Sequence, residues 1–163
     1  MQNITMVPIR TKHRLPSECY KGTTCCVFTC CVKQHVSLFV NESIFCIFER
    51  ELINALNHYD IDAHVYLFMP DHIHILLQGK SDESDLLGVM KYFKQKTGYW
   101  LSKNKKGVSW QKEYFDHVLR KDEDIGKHVK YILGNPVRAG LTDNWKEYQF
   151  KGTTIYNFDT WDS

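Results

Sequence analysis

The stretch that decides the fold is Ile61 to Gln78, IDAHVYLFM-PD-HIHILLQ. Two runs rich in β-branched and aromatic residues are separated only by Pro70-Asp71, and so short a break between two β-runs reads as an antiparallel hairpin. Alternation along the first run places Ile61, Ala63, Val65, Leu67 and Met69 on one face. In the second run the same period puts Ile73, Ile75 and Leu77 on one side, with His72 and His74 together on the other.

Outward from the hairpin, Thr23 to Lys33 reads as a strand and Glu42 to about His58 as a helix, since Phe45, Phe48, Leu52 and Leu56 recur at three- and four-residue intervals. Asp82 to about Ser102 repeats that pattern with Leu86, Met90, Phe93 and Trp100 or Leu101, with Ser81 or Asp82 as its N-cap. Phe115 to Arg120 reads as a further strand. Glu123 to Gly134 reads as a third helix, stopped by Pro136. Residues 141–163 are polar and aromatic with weak periodicity.

The order β-α-β-β-α-β-α predicts an α+β sandwich of ferredoxin-like type, its central antiparallel sheet carrying the H-x-H motif and its helices packed on one face. The 163 residues fit one domain, 1–163, with a core of about 14–141 and polar extensions at both ends. An eight-stranded α/β barrel needs about 250 residues and is excluded. With 43% hydrophobic and 25% charged residues, the composition is that of a folded protein. No apolar run approaches the roughly 20 residues of a membrane helix. MQNITMVPIRTKHRL lacks the apolar core and cleavage site of a secretory signal, so a cytoplasmic location is expected.

A net charge of +2 does not by itself select a partner, but its distribution is uneven. Arg10, Lys12, His13 and Arg14 cluster early, and Lys91, Lys94, Lys96, Lys103, Lys105 and Lys106 cluster in the middle. Six cysteines fall in the first third without a C-x-x-C pair, and CCVFTCC lies in a strand; they read as small buried hydrophobes, not as ligands.

His72 and His74, two imidazoles on one side of a strand, have the spacing to share a divalent ion, or simply to occupy a half-exposed face. A metal-dependent amidohydrolase would require the barrel already excluded. A histidine-triad enzyme would require a third alternating histidine where Leu76 stands. On the third helix, Asp124, His128, Tyr131 and Asn135 fall within a stripe about 60° wide, while Ile125, Val129, Ile132 and Leu133 occupy the side that buries. Asn135 precedes Pro136 and is biased away from helical geometry. Tyr114 is the next phenol to weigh; Phe115 and Trp110 beside it favour packing or base stacking, and Tyr92 and Tyr99 read as core or flank. His64 and His117 read as structural.

These motifs in series, MPDHIHILL, then WQKEYFDHVLR, then YILGNPVRAGL, resemble the REP-associated tyrosine transposases, which belong to the single-tyrosine HUH transposases of small "two-hundred" type insertion sequences. The likeness spans roughly residues 14–141. It implies metal histidines at His72 and His74, a nucleophile at Tyr131, and a further metal ligand at Asn135; the stripe that His128 and Asp124 share with Tyr131 makes either of them the expected proton acceptor or support. The likeness implies a metal-dependent single-stranded DNA endonuclease and strand transferase working through a 5′-phosphotyrosine on hairpin-bearing repeats. The alternative is an inactive single-stranded nucleic-acid-binding protein of the same fold. A divalent ion, magnesium or manganese, is the implied cofactor, and single-stranded DNA the partner, with homodimer and monomer both open. Arg14, Lys91, Lys94, Lys103, Lys105, Lys106, Arg120 and Arg138 are then expected to track phosphates, and Trp110 to stack on a base or to sit in the core. Arg14-Leu15-Pro16 matches the family's R-L-P segment; SECY follows it where an aromatic-rich stretch is expected.

Overall fold

The computed structural model describes residues 14–161, so Arg10, Lys12 and His13 of the early basic cluster lie outside the described residues. The elements are β1 (Cys25–Cys31), α1 (Glu42–His58), β2 (Ile61–Met69), β3 (His72–Gly79), α2 (Leu86–Asn104), β4 (Phe115–Val118), α3 (Ile125–Leu133), α4 (Asn135–Arg138) and β5 (Lys151–Gly152). All strand pairings are antiparallel and the sheet order is β4-β1-β3-β2-β5. The first four strands with α1 and α2 make the ferredoxin-like arrangement expected. The hairpin forms as read, with Met69 opposite His72.

Two apolar layers sandwich the sheet. On one side α1 and α2 bury Phe48, Leu52, Met90 and Phe93 against Phe28, Phe68, Ile73, Ile75 and Leu77. Each such side chain contributes about 1.5–3 kcal/mol on burial, so this layer carries most of the fold's stability. On the other side α3 seats Val129, Ile132 and Leu133 on Val65, Leu67, Met69 and Leu76, and an aromatic C-terminal segment with Trp145, Tyr156, Phe158 and Trp161 packs beside them. The helices expected on one face therefore divide: α1 and α2 share a face, and α3 takes the opposite one. The weakly periodic tail is what covers the rest.

One strand departs from simple alternation. The β2–β3 register slips between Ala63 and Val65. The extra residue inverts the parity of the strand, so Ile61 and Ala63 belong to the first layer while Val65, Leu67 and Met69 belong to the second. His64 occupies the slip and is buried, its ring nitrogens 2.6 Å from Tyr156 Oη and 2.6 Å from Gln78 Oε1.

Helix α2 starts later than Ser81 or Asp82. Asp85 is its N-cap and accepts from Gly88 N, because the buried Ser84 hydroxyl ties up the preceding turn: it accepts from Lys80 N and Ser81 N and donates to Asp60 O. Buried Cys25, Cys26 and Cys30 are free thiols, all pushed well up by burial and so kept protonated. Among the described residues, no helix is long and apolar enough to cross a membrane.

Candidate metal and tyrosine site

Ile73 is fully buried in the α1–α2 layer, which obliges its neighbours His72 and His74 to face the α3 side. Their Nε2 atoms lie 3.1 Å apart and the rings stand perpendicular. Each ring is steered from behind. His72 Nδ1 lies 2.6 Å from Asp71 Oδ1, and His74 Nδ1 lies 3.1 Å from Thr29 Oγ1 on the neighbouring strand. Burial alone would raise the Asp71 carboxyl, but bonds from His72 and from His35 outweigh it and hold the group below its ordinary range. An ionised Asp71 accepts the Nδ1 proton of His72, which turns the Nε2 edge of the ring toward His74. Burial pushes His74 down to about 3, with the charges of His72 and Arg138 adding to it. At neutral pH His74 is therefore an uncharged donor. Two imidazole nitrogens that converge in this way are suited to sharing a cation.

The tyrosine arrives from α3 and α4. Pro136 lacks the N–H that would extend α3, so the helix ends at Leu133 and a new short turn begins at Asn135. Tyr131 and Asn135 thus sit on successive elements, not on one helix stripe. Tyr131 is 62% exposed. Arg138 links the two residues: its guanidinium lies 4.1 Å over the Tyr131 ring and donates to Tyr131 O and, at 2.9 Å, to Asn135 Oδ1. Arg138 is also close enough for its charge to act on His74. Asn135 Nδ2 is buried with no hydrogen-bond partner. Behind Arg138 lies a recess of about 420 Å³ lined in part by Leu133, Asn144, Trp145 and Trp161.

The two expected helpers of Tyr131 are committed elsewhere. Asp124 is the N-cap of α3 and accepts from Lys127 N. His128 directs Nε2 to Glu123 Oε2 at 2.9 Å, and Glu123 also bonds His117. His117 is therefore more than a strand residue. Glu123 carries no local motif to mark it, and only its position between the two histidines would have pointed to this grouping.

The expected DNA contacts also sort differently. Trp110 is only 9% exposed, ringed by Phe39, Phe48 and Phe93, and its Nε1–H donates to Thr97 Oγ1 at 2.9 Å. It is a core residue and has no free face for a base. Lys94 is half-buried and spends its ammonium on Gln111 O and Lys112 O at 2.8 and 3.1 Å, so it supports the chain before β4 and is not free to track phosphates. Arg14 stacks 4.1 Å from the Tyr114 ring and pairs with Asp116. Burial pushes Tyr114 up to about 12 despite Arg14, which makes it a packing phenol. Lys91, Lys103, Lys105 and Lys106 are exposed on α2 and the loop after it, on the layer across the sheet from the histidines. Arg120 is exposed near Glu123, and Arg138 alone of these cations lies at the histidine–tyrosine site.

Comparison with known proteins follows the same lines. A REP-associated tyrosine transposase solved bound to a REP hairpin superimposes with a TM-score of 0.72 over 86% of this chain and 81% of that one, at 18% identity, and so shares the fold. A Haemophilus influenzae protein that carries, provisionally, the name REP-associated tyrosine transposase is 24% identical over 129 residues, covering 72% of this chain and 70% of its own length. Residues 23–135, from just before β1 to the first residue of α4, match the family described as IS200-like transposases. The chain belongs to the IS200-like transposases, a family of DNA nicking and joining enzymes.

Proposed function

We propose that this chain cuts and rejoins single-stranded DNA at hairpin-bearing repeats, through a covalent 5′-phosphotyrosine on Tyr131, with a divalent ion at His72 and His74. The observation that carries the reading is the convergence of the two Nε2 atoms, 3.1 Å apart, on the same sheet face that receives Tyr131, Asn135 and Arg138. The donor set fits a metal. Both histidines are backed at Nδ1, His74 is neutral, and the Asn135 carbonyl oxygen is held in place by Arg138. His72, His74 and the Asn135 carbonyl oxygen would hold the ion. Magnesium or manganese there would supply Lewis-acid polarisation of the scissile phosphate.

The chain's own groups do the rest. The Tyr131 oxygen attacks phosphorus, its proton passes to solvent, and the 3′-oxygen departs and is protonated as a free 3′-hydroxyl. A phosphodiester has been exchanged for a phosphotyrosyl ester, so a later 3′-hydroxyl can reverse the step without a nucleotide triphosphate. Arg138 restrains the phenol by stacking, holds Asn135 by a hydrogen bond, and adds a fixed positive charge where the anionic backbone must pass. The exposed tyrosine suits a long polymeric substrate better than a small one enclosed in a pocket. Such work belongs in the cytoplasm, where the DNA is.

The test is incubation with a single-stranded repeat hairpin and manganese or magnesium, read on a denaturing gel. Wild type should give a protein–DNA adduct that Tyr131→Phe and His72→Ala both lose. An adduct that survives in Tyr131→Phe refutes the assignment. Hairpin binding with no adduct from wild type favours the inactive binder.

A further inference from the structure

A second convergence of ligand-type side chains lies outside the site just described. His117 comes from β4, Glu123 from the loop that follows, and His128 from the start of α3. Their donor atoms all fall within 4.8 Å of one another. His117 Nε2 lies 3.0 and 2.9 Å from the two Glu123 oxygens, and His128 Nε2 lies 2.9 Å from Glu123 Oε2. The loop itself builds the carboxylate's position. Arg120 N donates to Glu123 Oε1 and Glu123 N donates back to Arg120 O, closing the turn on itself.

We propose that His117, Glu123 and His128 form a second metal site, for a transition ion of the Zn2+ class, that clamps α3 onto β4. As the residues stand, two imidazoles each present an Nε2 proton to one carboxylate. In the other neutral tautomer, with each ring proton on Nδ1, the two Nε2 lone pairs and a carboxylate oxygen make a His2Glu set that holds zinc with one position open. Ligand atoms bound at about 2.0–2.1 Å in a tetrahedron stand roughly 3.3 Å apart, so the two histidine–Glu123 spacings need to widen by only a few tenths of an ångström, and the two imidazole nitrogens already lie within 4.8 Å of each other. The Glu123 carboxyl is held down to about 2 by the bond from His117, then by Arg120 N and His128, and so is ionised and ready to bind. Arg120 Nε, 3.9 Å from Glu123 Oε1, competes for the carboxylate, and its side chain is largely solvent-exposed and able to move aside. Partial exposure of Glu123 and His128 gives the ion a route in and a water for the open position.

The consequence concerns the helix that carries Tyr131. His128 lies three residues before it, one turn earlier on α3. α3 is otherwise held to the sheet by a small apolar contact through Val129, Ile132 and Leu133. An ion bridging β4, the loop and α3 fixes that helix at its N-terminal end. Binding at this site is independent of whether Tyr131 is the nucleophile.

The test uses the full chain carrying His72→Ala and His74→Ala, so that the paired histidines take no ion. Zinc is titrated in competition with a chromophoric chelator, cobalt is added separately for its visible spectrum, and Tm is followed with and without zinc. One equivalent of zinc, the absorption of four-coordinate cobalt and a zinc-dependent rise in Tm are expected, and all three should vanish on adding His128→Asn. Should that variant fail to fold, Glu123→Gln, which keeps an acceptor for both histidines, should abolish them instead. Absence of zinc binding in the His72→Ala, His74→Ala protein overturns the proposal, as does binding that neither further substitution weakens; the trio is then a hydrogen-bonded clasp only.

Discussion

The neutral state of His74 has a measurable thermodynamic signature. In the unfolded chain its imidazole titrates near 6.5, whereas in the folded protein burial and the charges of His72 and Arg138 push it down to about 3. The folded value is depressed, so below pH 6.5 the unfolded chain takes up a proton that the native state refuses. Stability attributable to this group is intact above 6.5 and declines as pH falls toward 3. Each pH unit inside that window is worth about 1.4 kcal/mol. Between about pH 7.5 and 4.5, roughly two full units count, or about 2.7 kcal/mol; His74 keeps some solvent contact, and screening brings the expected loss to about 2 kcal/mol. The assay is urea unfolding at both pH values in the presence of a chelator, comparing wild type with His74→Asn. Other titrating groups act in both proteins and cancel. Wild type should lose about 2 kcal/mol more than the variant over this range. Equal losses, within about 0.5 kcal/mol, would show that His74 protonates freely in the folded protein and would remove the case for a preformed neutral donor at His74.

Other perturbations separate structural from chemical roles. Trp110→Ala should cost about 3–5 kcal/mol in urea unfolding, since it empties a site among three phenylalanines and removes the donor to Thr97 Oγ1; a surface base-stacking residue would cost almost nothing. Glu123→Gln should flatten the acid limb of the stability curve in chelator, because a carboxyl depressed from 4.5 to about 2 contributes stability above 4.5 that is lost as pH falls toward 2. Its difference from wild type should shrink across that interval in a pH-dependent Tm series. Gly79→Ala should destabilise by about 1–3 kcal/mol, since a Cβ there would meet the Gly22 carbonyl oxygen at 1.7 Å and backbone must move to admit it; a Tm equal to wild type would show that the Gly22 turn yields freely.

The sheet and its first helical layer were legible because their signals are local. The H-x-H pair, the Pro70-Asp71 break and the stripe of Phe45, Phe48, Leu52 and Leu56 each lie within a few residues, and period 2 or 3.6 converts them directly into faces. What escaped was decided by contacts distant in sequence. Nothing in Ala63-His64-Val65 marks a bulge: alternation runs through residue 65, the following Tyr66 to Met69 run is apolar on both faces, and the slip is held by partners near residues 78 and 156. Trp110 and Lys94 sit beside basic residues in the chain, yet one is drawn into the core by Thr97 and three phenylalanines, and the other is capped by carbonyls of residues 111 and 112.

The same distinction explains why α3 is the element on which the chemistry turns. Its apolar side, Val129, Ile132 and Leu133, is read from spacing, but the face it meets is not, because Val65, Leu67 and Met69 reach the α3 side only through the bulge at His64. Without the slip these three residues would join Ile61 and Ala63 against α1, and the bulkier Tyr66 and Phe68 would face α3 in their place, a surface to which Val129, Ile132 and Leu133 are not fitted. Seating α3 on that face is what brings Tyr131 to the same side of the sheet as His72 and His74. The bulge therefore links a register detail in β2 to the placement of the tyrosine. Restoring strict alternation by deleting residue 64 should uncouple α3 from the sheet, seen as fast amide exchange confined to residues 125–138, while β1 and β3 keep their protection.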